Sequence, residues 1–156
     1  MATSLRKELA YDATPDAVAA MLADPAFREE VLERQHVLRG SASVDGSTVV
    51  VEQVQSAAGL PGFAQKFVGD EIVIVQTERW GSDTAADLHL AIPGKPGDIT
   101  GTVRLTPAGA GTVEVVDLSV KVSIPLVGGK IEKLVADMIE KALAKEHEVG
   151  QEWLAR

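Results

Sequence analysis

Hydrophobic positions along this chain follow two different periods. Between residues 37 and 124 apolar and polar side chains alternate, whereas from 127 to 155 apolar residues recur at helical spacing. At 100° per residue, Val127, Ile131, Leu134, Val135, Met138, Ile139, Ala142, Val149 and Trp153 share one face of this last segment. No proline interrupts it, and only Gly128, Gly129 and Gly150 weaken a run of strong helix formers. The spacing predicts one long amphipathic helix of roughly 43 Å, longer than a small domain needs merely to close a core. Glu146 falls in the middle of its apolar face, four residues after Ala142 and three before Val149.

The alternating region divides into six strands, at 37–44, 48–57, 72–80, 85–92, 99–106 and 112–124. Turn residues separate them: Asp45-Gly46, Gly81-Ser82-Asp83, Pro93-Gly94-Lys95-Pro96-Gly97 and Ala108-Gly109-Ala110-Gly111. Such short breaks join antiparallel neighbours, because parallel ones need long crossovers. In the last strand Val116, Leu118, Val120, Val122 and Ile124 alternate with Asp117, Ser119, Lys121 and Ser123, so one face is buried and the other wet. The connection at 60–68 is longer than a hairpin turn and starts like a short helix, on which Phe63 and Phe67 share a face.

Upstream, residues 4–11 read as a further strand with Leu5, Leu9 and Tyr11 on one side. Thr14-Pro15-Asp16 then supplies an N-cap, a proline at the first helical position and an acid in the first turn, which starts a short helix through Leu22. Asp24-Pro25 repeats the device and starts a second helix over roughly 26–35, with Phe27, Val31 and Leu32 as its apolar stripe. No repeat or linker divides the chain, so a single domain over 1–156 is expected.

Composition narrows the partners more than the fold. A formal net charge of −8, without a cluster of lysines or arginines, supplies no positive field for nucleic acid or anionic membrane. No apolar run approaches the ~20 residues of a membrane span, and Met1 to Ala13 hold no apolar stretch of a secretory signal. With no cysteine there is no disulfide, thiol nucleophile or thiolate metal site. A cytoplasmic protein, monomeric or weakly dimeric, is expected.

The order strand, two short helices, six-stranded meander, long helix resembles the START-like (SRPBCC, helix-grip) superfamily over nearly the whole chain. The most specific pieces are Tyr11-Asp12-Ala13-Thr14-Pro15-Asp16-Ala17-Val18, Asp24-Pro25-Ala26-Phe27 and Ile124-Pro125-Leu126-Val127-Gly128-Gly129-Lys130-Ile131-Glu132. The closing Glu146-His147-Glu148-Val149-Gly150-Gln151-Glu152-Trp153-Leu154 is similar to a bacterial, mainly actinobacterial, branch known as a domain of unknown function. The resemblance implies an α+β fold in which a seven-stranded curved antiparallel sheet wraps around the C-terminal helix, with a hydrophobic cavity between them. It implies no single activity, since the superfamily holds carriers, cyclases, receptors and chaperone activators.

The lining expected for that cavity is Val135, Met138, Ile139, Ala142 and Glu146 of the helix, Leu60, Phe63 and Phe67 of the connecting segment, and Leu88, Leu90, Val103, Leu118 and Val120 of the strands. Glu146 has two readings. In a cavity it orients a ligand hydroxyl or acts as a general base with a raised pKa; alternatively it pairs with an arginine or reaches water near the helix end. His89, within Leu88-His89-Leu90, points to solvent if the leucines face inward, and becomes an acid/base candidate in the opposite register. His36 and His147 read as surface groups, and Trp80 and Trp153 as core anchors. Phe63 and Phe67 read either as a lid over the cavity mouth or as core filling. The ligand sets of metal sites, the glycine-rich cradle that opens a helix and the Gly-x-Ser-x-Gly elbow are all missing, so neither metal nor cofactor is expected. Together these residues predict binding, transport or sensing of a hydrophobic small molecule. The alternatives are a cyclase or dehydratase using Glu146 or His89, and an interaction module with a filled core.

Overall fold

A computed structural model describes residues 2–156. Its elements are β1 (Thr3–Tyr11), α1 (Pro15–Leu22), α2 (Pro25–Arg34), β2 (Arg39–Asp45), β3 (Thr48–Ser56), α3 (Gly62–Val68), β4 (Glu71–Ser82), β5 (Ala85–Ala91), β6 (Gly97–Ala108), β7 (Gly111–Val122) and α4 (Gly128–Leu154). All seven strands form one antiparallel sheet in the order β1-β7-β6-β5-β4-β3-β2. The meander of β2 to β7 follows from its short turns. The first strand closes onto the last, with Leu5 opposite Leu118 and Leu9 opposite Glu114. The chain therefore crosses from one sheet edge to the other through α1 and α2, and the curved sheet and these helices enclose α4.

Local chemistry sets the helix ends. Thr14 Oγ1 accepts from the Ala17 amide at 3.3 Å and Asp24 Oδ1 from the Ala26 amide at 2.9 Å, each one residue before a proline. At the other end of α2, His36 adopts φ +57°, and the amides of His36 and Val37 return to the carbonyls of Glu33 and Leu32. This Schellman closure takes up Val37, so β2 starts at Arg39 and not at residue 37 as the alternation predicts. Similarly, β7 ends at Val122, two residues before the expected stop, where Pro125 and Leu126 (φ +72°) turn the chain into α4. The β6–β7 hairpin runs further than the alternation shows, with Pro107 paired to Thr112 beside the tight turn.

The sheet needs one close approach. In the middle of β6, a Cβ on Gly101 would lie 1.8 Å from the Asp117 carbonyl oxygen on β7, a spacing open only to glycine. The inward faces of β5, β6 and β7 pack into a core of Leu88, Leu90, Ile99, Val103, Val116, Leu118 and Val120, against which Val135, Ile139 and Leu143 of α4 rest. A second core joins Leu9, Tyr11, Val18, Met21, Leu22, Phe27 and Val149 where α1 and α2 cover the helix. There Trp153 packs edge-on against Phe27, ring centres 5.6 Å apart, so Trp153 is a core anchor as expected. Among the described residues no helix is long and apolar enough to cross a membrane.

Candidate functional site

Where β3, β4 and α3 face α4, the sheet and the helix leave a gap. A cavity of about 120 Å³ remains, roughly ten times the space one buried water needs. β3 and β4 supply Val51, Gln53, Gln55, Ile72, Ile74 and Gln76; α3 and its approach supply Leu60, Ala64, Phe67 and Val68. One side of α4, from Ile131 through Val135, Met138, Ile139 and Ala142 to Glu146, forms the opposite wall. Leu90, Ile92 and Ile99 complete it from the sheet, and Arg28, Val31, Leu32 and Gln35 close it from α2. These four residues, the last of them the α2 C-cap, are spaced i, i+3, i+4, i+7, which places them on one helix face.

Eight of the expected lining residues stand there: Leu60, Phe67, Leu90, Val135, Met138, Ile139, Ala142 and Glu146. Leu88, Val103, Leu118 and Val120 do not; they are consumed by the closed core of β5, β6 and β7, because inward-facing side chains at that end meet α4 directly. Phe63 is half-buried outside the cavity. The wall of α3 is formed by Leu60, Ala64, Phe67 and Val68, so the two phenylalanines do not act as a matched pair over the mouth. His89 points outward, with its side chain 46% exposed and its Nε2 3.6 Å from Asp98 Oδ1. This is the register in which the flanking leucines face inward. His36 is exposed, but His147 is half-buried, with Nε2 2.6 Å from the Ala10 carbonyl and its ring edge-on to Tyr11. A carbonyl only accepts, so Nε2 carries the proton.

The α2 end of the cavity is a buried cluster of charge. Arg28, 4% exposed, donates from Nη2 to Glu78 Oε1 at 2.7 Å, from Nη1 to Glu146 Oε1 at 3.4 Å and from Nε to the Leu22 carbonyl at 2.8 Å. Glu78 also accepts from Gln76 Nε2 at 2.7 Å and Trp80 Nε1 at 3.1 Å. Behind this lies Glu114, buried on the inward face of β7, and beside it Tyr11. Neither the Tyr11 hydroxyl nor Glu114 Oε1 has a hydrogen-bond partner. Two carboxyl groups thus share one guanidinium, with the third, Glu114, nearby. Burial acts to lower the Arg28 pKa, but the charges of Glu78 and Glu146 outweigh it and raise it further, so Arg28 stays charged. Burial raises the Glu146 carboxyl, with Arg28 opposing and Glu78 adding. Burial first, and the Glu146 charge second, push Glu114 well above the ordinary carboxylate range. The Tyr11 phenol is raised by burial and then by Glu114 and Glu146.

Glu146 therefore pairs with an arginine, and it also stands on the cavity wall. Arg28, Glu78, Glu114 and Tyr11 are members of the site that the apolar pattern passed over. Their signal was present. Arg28 is on the face of Val31 and Leu32, Glu78 has the parity of Ile72 and Ile74, and Glu114 that of Val116 and Leu118. Among the described residues no group of three or more metal-ligating side chains is arranged to hold a metal ion.

Comparison with known proteins agrees with this architecture. The model of the family described as "Protein of unknown function (DUF2505)" matches residues 7–154. "Uncharacterized protein Rv0481c" of Mycobacterium tuberculosis (strain ATCC 25618 / H37Rv) is 25% identical over 122 residues, 74% of this chain and 70% of the relative. Among solved structures, the Zhui aromatase/cyclase from Streptomyces sp. R1128 superposes with a TM-score of 0.70 at 13% identity, covering 100% of this chain and 95% of that one. Norcoclaurine synthase from Thalictrum flavum, in complex with dopamine and hydroxybenzaldehyde, gives 0.68 at 12% identity, covering 100% and 88%. At these identities the likeness establishes the fold, a START-like helix grip.

Proposed function

The chain belongs to the DUF2505 family, and within it we propose a protein that binds a hydrophobic small molecule, a lipid, isoprenoid or polyketide-like compound, as carrier or sensor. The observation that carries this reading is the cavity: apolar walls from β3, β4, α3 and α4, closed at one end by the Arg28–Glu146 pair. Ligand sites are typically of this kind, apolar with a few placed polar groups. A filled interior, which an interaction module would have, has no such space. We take the protein to act in the cytoplasm, as a monomer or weak homodimer.

A cyclase- or dehydratase-type enzyme is the second reading. Glu146 favours it, since a carboxyl with a raised pKa at the cavity wall is placed to hold or move a proton. The neighbours in fold include an aromatase/cyclase and norcoclaurine synthase. Those names belong to those proteins. For this chain, Glu146 held by Arg28, with His89 turned outward, supports binding better than a two-group mechanism.

Native mass spectrometry of protein purified without detergent tests the proposal. An apolar adduct that leaves on denaturation is expected. Bare protein from every preparation, with no uptake from an added lipid extract, contradicts it.

A further inference from the structure

The polar end of the cavity is not neutral in its demands. Of the groups there, Arg28 and the Gln35 and Gln76 amides each already give donors to the protein, while one oxygen of Glu146 and both amide oxygens receive none. Arg28 directs each of its three nitrogens to a protein acceptor: Leu22 O, Glu146 Oε1 and Glu78 Oε1. Gln76 Nε2 donates to Glu78 and Gln35 Nε2 to the Ala142 carbonyl at 3.0 Å. Because carboxylates and carbonyls only accept, these bonds fix which end of each amide is nitrogen and leave its oxygen, with one remaining N–H, open. Glu146 meets Arg28 through one oxygen, at the long distance of 3.4 Å. Its side chain is 12% exposed, and it lines the cavity, so its second oxygen is available there. A ligand reaching this end meets the oxygens of Glu146, Gln35 and Gln76.

We propose that the cavity selects an apolar molecule whose polar end donates hydrogen bonds, an alcohol or a protonated amine, and discriminates against a carboxylate. This rests on the reading of the cavity as a ligand site. A carboxylate brings only acceptors and adds negative charge to a site where Glu78 and Glu146 already share the single Arg28 guanidinium. An alcohol donates to Glu146 and still accepts from a neighbouring amide. An ammonium group donates to several of the three oxygens and adds the missing positive charge.

The test is displacement of the neutral dye Nile red by 1-octanol, octylamine and octanoate, which share one tail and differ at the head. Octanol and octylamine are expected to bind at least about tenfold more tightly than octanoate, the difference that 1.4 kcal/mol represents. In E146Q the advantage of octylamine over octanoate shrinks while octanol binding persists. Octanoate binding as tightly as the other two overturns the head-group selection and leaves the cavity reading standing. Nile red binding that none of the three compounds displaces overturns the selection in the same way. No binding of Nile red or of any octyl compound overturns the cavity reading itself.

Discussion

At the scale of single residues, the interior holds more acid than it can stabilise in the charged form. Glu114 shows the consequence. Burial and the Glu146 charge raise its pKa, so the folded protein holds a proton that the unfolded chain gives up. Its contribution to stability is complete below the ordinary glutamate pKa of about 4.3 and is lost as pH rises through the folded value. Urea unfolding of the wild type is expected to show stability falling as pH rises above the ordinary glutamate range, with a shallower fall in Glu114→Gln. The variant, which has no proton to lose, gains stability relative to the wild type as pH rises. Identical pH slopes for the two proteins contradict this assignment. The cluster was partly legible in the sequence. Glu114 and Glu78 have the parity of buried strand positions, yet residue type alone assigns a glutamate to solvent. Only the distance to Arg28, fifty positions from Glu78 and 118 from Glu146, makes their burial tolerable.

At the scale of elements, α4 is shaped by what it touches. Its 27 residues extend about 40 Å, and its first and last turns are held by different means. Near the start, Glu132 accepts from Thr3 Oγ1 at 3.0 Å and from the Val122 amide at 2.9 Å, tying the helix to both β1 and β7. The Val122 bond, ahead of an opposing burial effect, holds the Glu132 carboxyl below its usual pKa. Near the end, Gly150 looks like a weak point by propensity alone. A Cβ there would lie 2.8 Å from Tyr11 Cε1, 3.1 Å from its hydroxyl and 3.2 Å from Met21 Cε. Gly150→Ala gains up to about 1 kcal/mol of helix propensity but overpacks a buried contact, which typically costs about 1–3 kcal/mol. A lower Tm is expected in thermal unfolding; an increase contradicts the packing argument. The helix itself was evident from its 3.6-residue period. Its glycine was not, because the reason for it lies on β1.

At the scale of the whole molecule, strand number and antiparallel order follow from the alternation and its turns, and the enclosed helix from the family resemblance. Which inward residues face empty space does not. Leu90 and Leu88 have the same parity on β5 and share one core, yet only Leu90 also lines the cavity. That division depends on how far the sheet curves from α4, a property of no single segment. The inward face of β3 adds a second ambiguity. Val49, Val51, Gln53 and Gln55 share it, and the Val49-Val50-Val51 run hides which parity is buried. The central claim, that this space takes an apolar ligand, is tested most directly by Nile red titration of the wild type against Ala142→Phe, with circular dichroism as the fold control. Ala142 stands on the cavity wall, so a phenyl group there fills the space while the rest of α4 is unchanged. Saturable binding by the wild type, weakened at least about tenfold, or 1.4 kcal/mol, in a folded variant is the predicted result; equal affinity in both proteins would contradict it.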